Sequence, residues 1–320
     1  MARADLEKLL QVGERIVEDV RRAGADVAEV VVRQGDHLSV KVRRGEPELV
    51  EEAGSRAVGL RVIRDQRVAV TYTSDLTDAG IRRFVEDAIE LAQLSEPDPF
   101  AGPPDPSLLS TRAQHRDLDI YDPAMASLGA GDAIALAKRA EKAAMDADPR
   151  ITNSDGATFS RAYGASAIVT SGGFRGVVDG TSASIVVTPV AEDGDGKKRR
   201  GHHWSSKRKL HLLDSPEAVG LEAARRTLEK LGARKVDTQE VAVIFDPDAA
   251  RSLLGLIAGA VNGSAIWRRS SYLLDRENTL VASPLVNIVD DPLLADGPGS
   301  RSFDGEGLLA RRNVVERAGA

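Results

Sequence analysis

The chain contains no cysteine among its 320 residues. Disulfides, thiolate zinc sites, iron–sulfur clusters and thiol nucleophiles are therefore excluded within it. Histidine is scarce as well, limited to His37, His115, His202, His203 and His211. None of the five stands in an H-E-x-x-H spacing. No stretch is apolar for long enough to span a bilayer. The start, Met1-Ala2-Arg3-Ala4-Asp5-Leu6, opens an amphipathic helix rather than an apolar signal core. These absences point to a cytoplasmic protein with no membrane partner. A basic face is missing too. The net charge of -6 is spread along the chain, which argues against binding nucleic acid, since phosphates demand a cationic surface.

What is present reads as an ordinary globular composition, 42% hydrophobic and 29% charged. The length suggests two or three domains. Leu6, Leu9, Leu10, Ile16, Val17 and Val20 recur at helical steps, and Gly24 closes that helix. The period then changes to two. Val27–Val32, Leu38–Val42, Glu48–Glu51, Ala57–Val62 and Val68–Tyr72 read as successive strands. Gln34-Gly35-Asp36, Arg44-Gly45-Glu46-Pro47 and Asp65-Gln66 are short enough to be hairpin turns between them. A second helix follows, with Ile81, Phe84, Val85, Ala88, Ile89 and Ala92 on one face. The expected domains are an N-terminal α+β domain over 1–95, a proline-rich linker and irregular segment over 96–125, a middle α+β domain over 126–236, and a partial C-terminal domain over 237–320.

In the middle domain a helix over Asp132–Asp146 precedes candidate strands at Thr158–Tyr163, Ala165–Thr170, Phe174–Asp179 and Thr181–Pro189, which read as a second antiparallel sheet punctuated by Gly172-Gly173 and Gly180. The basic run Lys197-Lys198-Arg199-Arg200 follows Glu192-Asp193-Gly194-Asp195-Gly196 and reads as a solvated hairpin tip. Asp214-Ser215-Pro216-Glu217 opens a further helix, with Asp214 as the cap. The last domain offers a strand, Val241–Phe245, then a helix from Asp246 to Gly263 rich in Leu, Ile, Ala and Gly, and one more strand, Leu285–Val289. It has too few strands to close a β-rich layer. The fold class expected is thus α+β, antiparallel sheets flanked by helices in successive domains, the third β-rich and incomplete.

Candidate chemistry is thin. His202 and His203 are neighbours on a strand, so they point to opposite faces and do not readily chelate together. A Ser–His–Asp triad stays open on composition, but no G-x-S-x-G occurs. Asp193 and Asp195 sit in a loop without the length or the closing Glu of an EF-hand. The loop pairs Asp290-Asp291 and Asp304/Glu306 would need a cleft to raise one pKa.

In order along the chain, Gly54–Val62, Tyr72-Thr73-Ser74-Asp75, Asp214–Gly220, Ala223-Ala224-Arg225-Arg226, Val243–Pro247, Ala258–Gly263, Ser271-Tyr272-Leu273, Ile288–Pro292 and Gly299–Gly307 resemble the TldD/PmbA family, metallopeptidases also described as modulators of DNA gyrase, and within it the PmbA (TldE) branch. Its peptidases carry an H-E-x-x-x-H helix in the third domain and a cysteine ligand near the C-terminus. Laid onto this chain, the motif falls on Gly255, Leu256 and Ala260 for His, Glu and His. The resemblance thus implies a chain without catalytic or metal-binding residues of its own, with substrate contacts unassigned. It implies a TldD-like catalytic partner in a cytoplasmic heterodimer, zinc in that partner, and an extended or unfolded peptide as substrate, degraded or trimmed of a leader. Two further readings stand beside it. One is a hydrolase acting alone through Asp290, Asp291 or Glu306. The other is a truncated, non-functional family member, because the family's third domain continues past Gly307.

Overall fold

In the computed structural model, residues 3–194 and 196–316 are described; Asp195 of the expected hairpin tip lies outside them. The chain divides into two compact units, Met1–Ala233 with Pro292–Arg311, and Arg234–Asp291 with Arg312–Ala320.

The first unit begins with α1 (Leu6–Arg22), capped by the Asp5 carboxylate, which accepts from the Lys8 amide. Its buried stripe is Leu9, Leu10, Ile16, Val17 and Val20. Gly24, at φ +90°, supplies the left-handed residue that ends it. A meander follows, β1 (Val27–Arg43), β2 (Glu46–Arg64) and β3 (Arg67–Thr73). Both connections are two-residue turns with positive φ, at Arg44-Gly45 and Asp65-Gln66, which suits the twist of paired strands. Next come α2 (Asp78–Leu94), whose six expected apolar residues are all buried, α3 (Pro123–Ser127) and α4 (Ala130–Asp146). Then β4 (Ile151–Thr170), β5 (Arg175–Glu192), β6 (Lys198–Arg200), β7 (His203–Lys207) and α5 (Pro216–Leu228) complete the run.

These strands form one antiparallel sheet in the order β3-β2-β1-β4-β5-β6, with β7 also on β5. The second sheet expected from sequence is a continuation of the first. β1 and β4 pair from Glu29↔Thr170 to Val42↔Ala157. The strands are also longer than expected. Gln34-Gly35-Asp36 is not a turn, and neither Gly164 nor Gly180 breaks its strand. Gly35 pairs with Gly164, and Gly164 with Gly180, so these glycines stand side by side across three strands. The β5–β6 hairpin does form where the acidic and basic runs meet, with Glu192↔Lys198 in register. The helix cap at α5 is Ser215, whose hydroxyl accepts from the Ala218 amide, not Asp214.

One face of the sheet carries the core. Ala28, Val30, Val32, Leu60, Val62 and Ala167 pack with the buried stripes of α1 and α2. Leu38, Val40, Phe159, Ile185 and Val187 pack with Ala133, Ala137, Ala140, Val219 and Ala223 of α4 and α5. Each fully buried Val, Leu, Ile or Phe stabilises by about 1.5–3 kcal/mol. A buried carboxylate fixes one end of the sheet to the helices. Glu141 of α4, 2% exposed, accepts from the Arg44 amide at 2.9 Å and the Gly45 amide at 2.8 Å, both in the β1–β2 turn. Glu141→Ala is expected to cost about 2 kcal/mol, as two hydrogen bonds to a charged acceptor are lost. Urea unfolding checks this, and a midpoint unchanged from the parent would contradict it.

The second unit holds α6 (Pro247–Ala260), α7 (Gly263–Trp267) and a ribbon of β8 (Ile288–Asp290) and β9 (Asn313–Glu316). Val241–Phe245 is not a strand. It has no pairing partner among the described residues, and Ile244 is 98% exposed. The strand expected at Leu285–Val289 is shorter and shifted, since only Ile288–Asp290 finds a partner, in β9. No helix among the described residues is long and apolar enough to cross a membrane.

Candidate functional site

The helix that sequence singles out, α6, starts at an Asp246 cap with Pro247 in its first turn. Gly255 and Leu256 are exposed, Leu256 at 67%, and Ala260 is buried. The Ala260 carbonyl accepts from the Ser271 hydroxyl at 2.7 Å. A Cβ built on Gly255 would meet nothing within 4 Å, so steric crowding does not dictate the missing side chain there. A cavity of this unit, about 630 Å³, is lined by Ile257, Val261, Ile266, Leu273 and Val281 among others, and none of Gly255, Leu256 or Ala260 lines it.

The remaining candidates are dispersed. Asp291 lies 3.7 Å from the Arg312 guanidinium, and Asp290 ends β8. Asp304 turns its carboxylate onto the amides of Glu306 and Leu308, at 3.0 and 2.9 Å, so it holds its own loop. His203 begins β7, His202 precedes it exposed, His211 lies in a 3-10 turn, and His37 is exposed on β1. Among the described residues no group of three or more His, Asp and Glu is placed to hold a metal ion.

One serine does meet a histidine. Ser110 Oγ lies 3.0 Å from His115 Nε2. The same hydroxyl donates to the Gly307 carbonyl at 2.8 Å. A carbonyl only accepts, so the serine proton points there and His115 Nε2 must be the donor. That polarity is the reverse of an activated nucleophile. The imidazole also packs on Phe303, with ring centroids 4.6 Å apart, and burial, with Arg112 beside it, pushes its pKa down. The pair is structural.

Sequence reading missed the face of the sheet opposite the helices. In-register neighbours on an antiparallel sheet share a face. One row across it reads Ser55, Gly35, Gly164, Gly180, and the next reads Ala53, His37, Ala162, Ser182. Side chains this short leave a hollow of about 610 Å³ bordered by Arg33, Ile120 and Ser166, with Arg208 and Phe303 at its rim. Arg208 donates to the carbonyls of Thr181 and Pro298, and burial lowers its pKa. On the helix-packed face behind the hollow, Asp179 is held bidentate by Arg3 at 2.6 and 2.9 Å, and the Arg3 guanidinium lies 4.2 Å over Tyr121. Burial raises the pKa of Tyr163, whose hydroxyl accepts from the Ala4 amide. The signal in the sequence was the alternation Ser160, Ala162, Gly164, Ser166 and Gly180, Ser182, Ser184, small at every second position.

The chain joins a wide antiparallel sheet under helices to a second unit whose first long helix is α6. Models of the PmbA/TldA metallopeptidase match it in three pieces, domain 1 over residues 28–92, the central domain over 125–231 and the C-terminal domain over 238–320. The chain is 35% identical to the metalloprotease PmbA of Escherichia coli O157:H7 over 98% of its own length and 68% of that protein's. It is 32% identical to the PmbA homolog of Haemophilus influenzae, covering 99% of itself and 69% of the homolog. Among solved structures, a candidate modulator of DNA gyrase from Bacteroides thetaiotaomicron superimposes with a TM-score of 0.92 at 25% identity, covering 99% of this chain and 71% of that one. TldE from Thermococcus kodakarensis shares the fold, with a TM-score of 0.75 at 18% identity, covering 99% and 68%. The chain belongs to the PmbA/TldD metallopeptidase family.

Zinc is the metal that this family implies. Gly255, Leu256 and Ala260, which the resemblance sets at the motif positions, offer no side-chain donor atom. Those three residues do not fit the metal.

Proposed function

We propose that the chain is the non-catalytic, PmbA/TldE-like subunit of a zinc metallopeptidase complex. Its partner is a TldD-like chain that carries the zinc, the two work as a cytoplasmic heterodimer, and the substrate is an extended peptide that is degraded or trimmed of a leader. The observation that carries this is the chemistry of α6, where Gly255 and Leu256 are exposed, Ala260 is buried, and none of the three, which the resemblance sets at two ligands and a general base, can bind a metal or move a proton. The hollow on the open face of the sheet supports the substrate class. Its small side chains leave room for an extended segment whose own side chains vary. The Ser110–His115 pair does not support an independent hydrolase, because its hydrogen bond runs the wrong way.

The test is co-expression with a TldD-like zinc chain from the same cells, followed by cleavage of an unfolded peptide with and without this chain. The two are expected to co-purify, and cleavage is expected to rise by about tenfold or more when this chain is present, as a positioned substrate reacts faster. Unchanged cleavage without co-purification would overturn the reading.

A further inference from the structure

The meander is uneven. β2 pairs with β1 from Glu46 to Ile63, but β3 pairs with β2 only from Val58 onward. Residues 46–56 of β2 therefore form a sheet edge with no strand beyond it among the described residues, and all eleven are exposed. At about 3.3 Å per residue the edge runs for roughly 36 Å. About half of the main-chain N–H and C=O groups on such an edge point outward and await a partner. Its one proline, Pro47, stands at the start, so the rest is free to receive a strand.

Charge selects the occupant. The segment holds Glu46, Glu48, Glu51 and Glu52 against Arg56 alone, four negative charges and one positive, a net of -3. Glu48 is shared with Lys41 and Arg43 of β1, and Glu52 lies 3.6 Å from Arg161. Glu51 and Glu52 are consecutive, so one stands on each face of the sheet. A second copy docking through the same edge would set these glutamates against themselves, and like charges directly opposite destabilise a strand pair. A strand bearing Lys or Arg meets Glu46 and Glu51, the two acids of this edge that are not shared with a cation of β1 or β4. We infer that the edge of β2 from Glu46 to Arg56 is a docking site for an extended basic segment of another polypeptide, which adds to the sheet as a further strand. This inference stands independently of the partner-subunit reading, since it needs neither zinc nor a catalytic chain.

The experiment uses the full chain and a fluorescein-labelled decapeptide of alternating Lys and Thr. Fluorescence anisotropy is expected to show saturable binding at low salt. Glu51→Lys combined with Glu46→Lys is expected to weaken it by about tenfold or more. Both positions are exposed, so circular dichroism should be unchanged by the substitutions. N-methylation of alternate residues of the peptide removes strand donors and is expected to weaken binding by a similar factor. A decapeptide with Glu in place of Lys is expected not to bind. Hydrogen exchange at the amides of residues 46–56 should slow on addition of the Lys peptide. No binding, or binding that survives N-methylation or charge reversal, overturns the proposal. So does self-association of the chain that the charge reversal abolishes, which would make a second copy the occupant.

Discussion

Arg161→Met is expected to destabilise the first unit by about 3–5 kcal/mol, the cost of breaking a buried ion pair by removing one partner. Arg161 is 4% exposed on β4, in register with Leu38 of β1. Its Nε donates to the Leu128 carbonyl at 2.7 Å, and its Nη1 donates to the Asp36 carboxylate. Leu128 lies between α3 and α4, so this one guanidinium ties the helical layer to two strands. Methionine fills the space but leaves the Asp36 charge and the Leu128 carbonyl without their donor. Removing both sides of the pair, with Asp36→Asn added, should recover part of the loss because less charge is stranded. Urea unfolding of the two variants measures it. Since whole domains are stable by only about 5–15 kcal/mol, the single variant should lose much of its margin. A loss below about 1 kcal/mol would show that the pair contributes little.

Gly220→Val should act as strongly by a different route. A Cβ on Gly220 would stand 2.2 Å from the Ala140 carbonyl oxygen and 3.0 Å from Ala143 Cβ. The α4 and α5 backbones touch here, and Ala140, Ala144, Ala223 and Ala224 are buried around the contact. Valine must push the helices apart, at about 3 kcal/mol, and Ala should cost less. Gly255 is the matched control. It sits in α6 with nothing within 4 Å of its Cβ position, so Gly255→Ala should be neutral or stabilise by up to about 1 kcal/mol. Thermal unfolding of the three variants decides this, and equal effects at the two glycines would refute the packing distinction.

The helices were legible because a single stripe reveals them. The six apolar positions of α2 repeat at helical steps, and all six are buried. Strand extent was not legible, because Gly35, Gly164 and Gly180 carry the same local signal whether they turn the chain or clear one face of a sheet. Only register separates the two, and register here joins segments as distant as β1 and β4. The same ignorance of partners made Val241–Phe245 look like a strand, although its apolar alternation finds no neighbour among the described residues. For the site, spacing alone revealed a helix without chemistry. The assignment of Gly255, Leu256 and Ala260 to the motif positions rests on family resemblance. The hollow on the open face needed the three-dimensional pairing of four strands.

The most direct test of the central claim is zinc content and peptide cleavage measured together on the purified chain alone, after exposure to zinc and removal of loosely held metal. A chain with Gly255, Leu256 and Ala260 at the motif positions is expected to retain far less than one zinc per molecule and to leave an unfolded peptide intact. One tightly held zinc per molecule, with cleavage that a chelator abolishes, would contradict it.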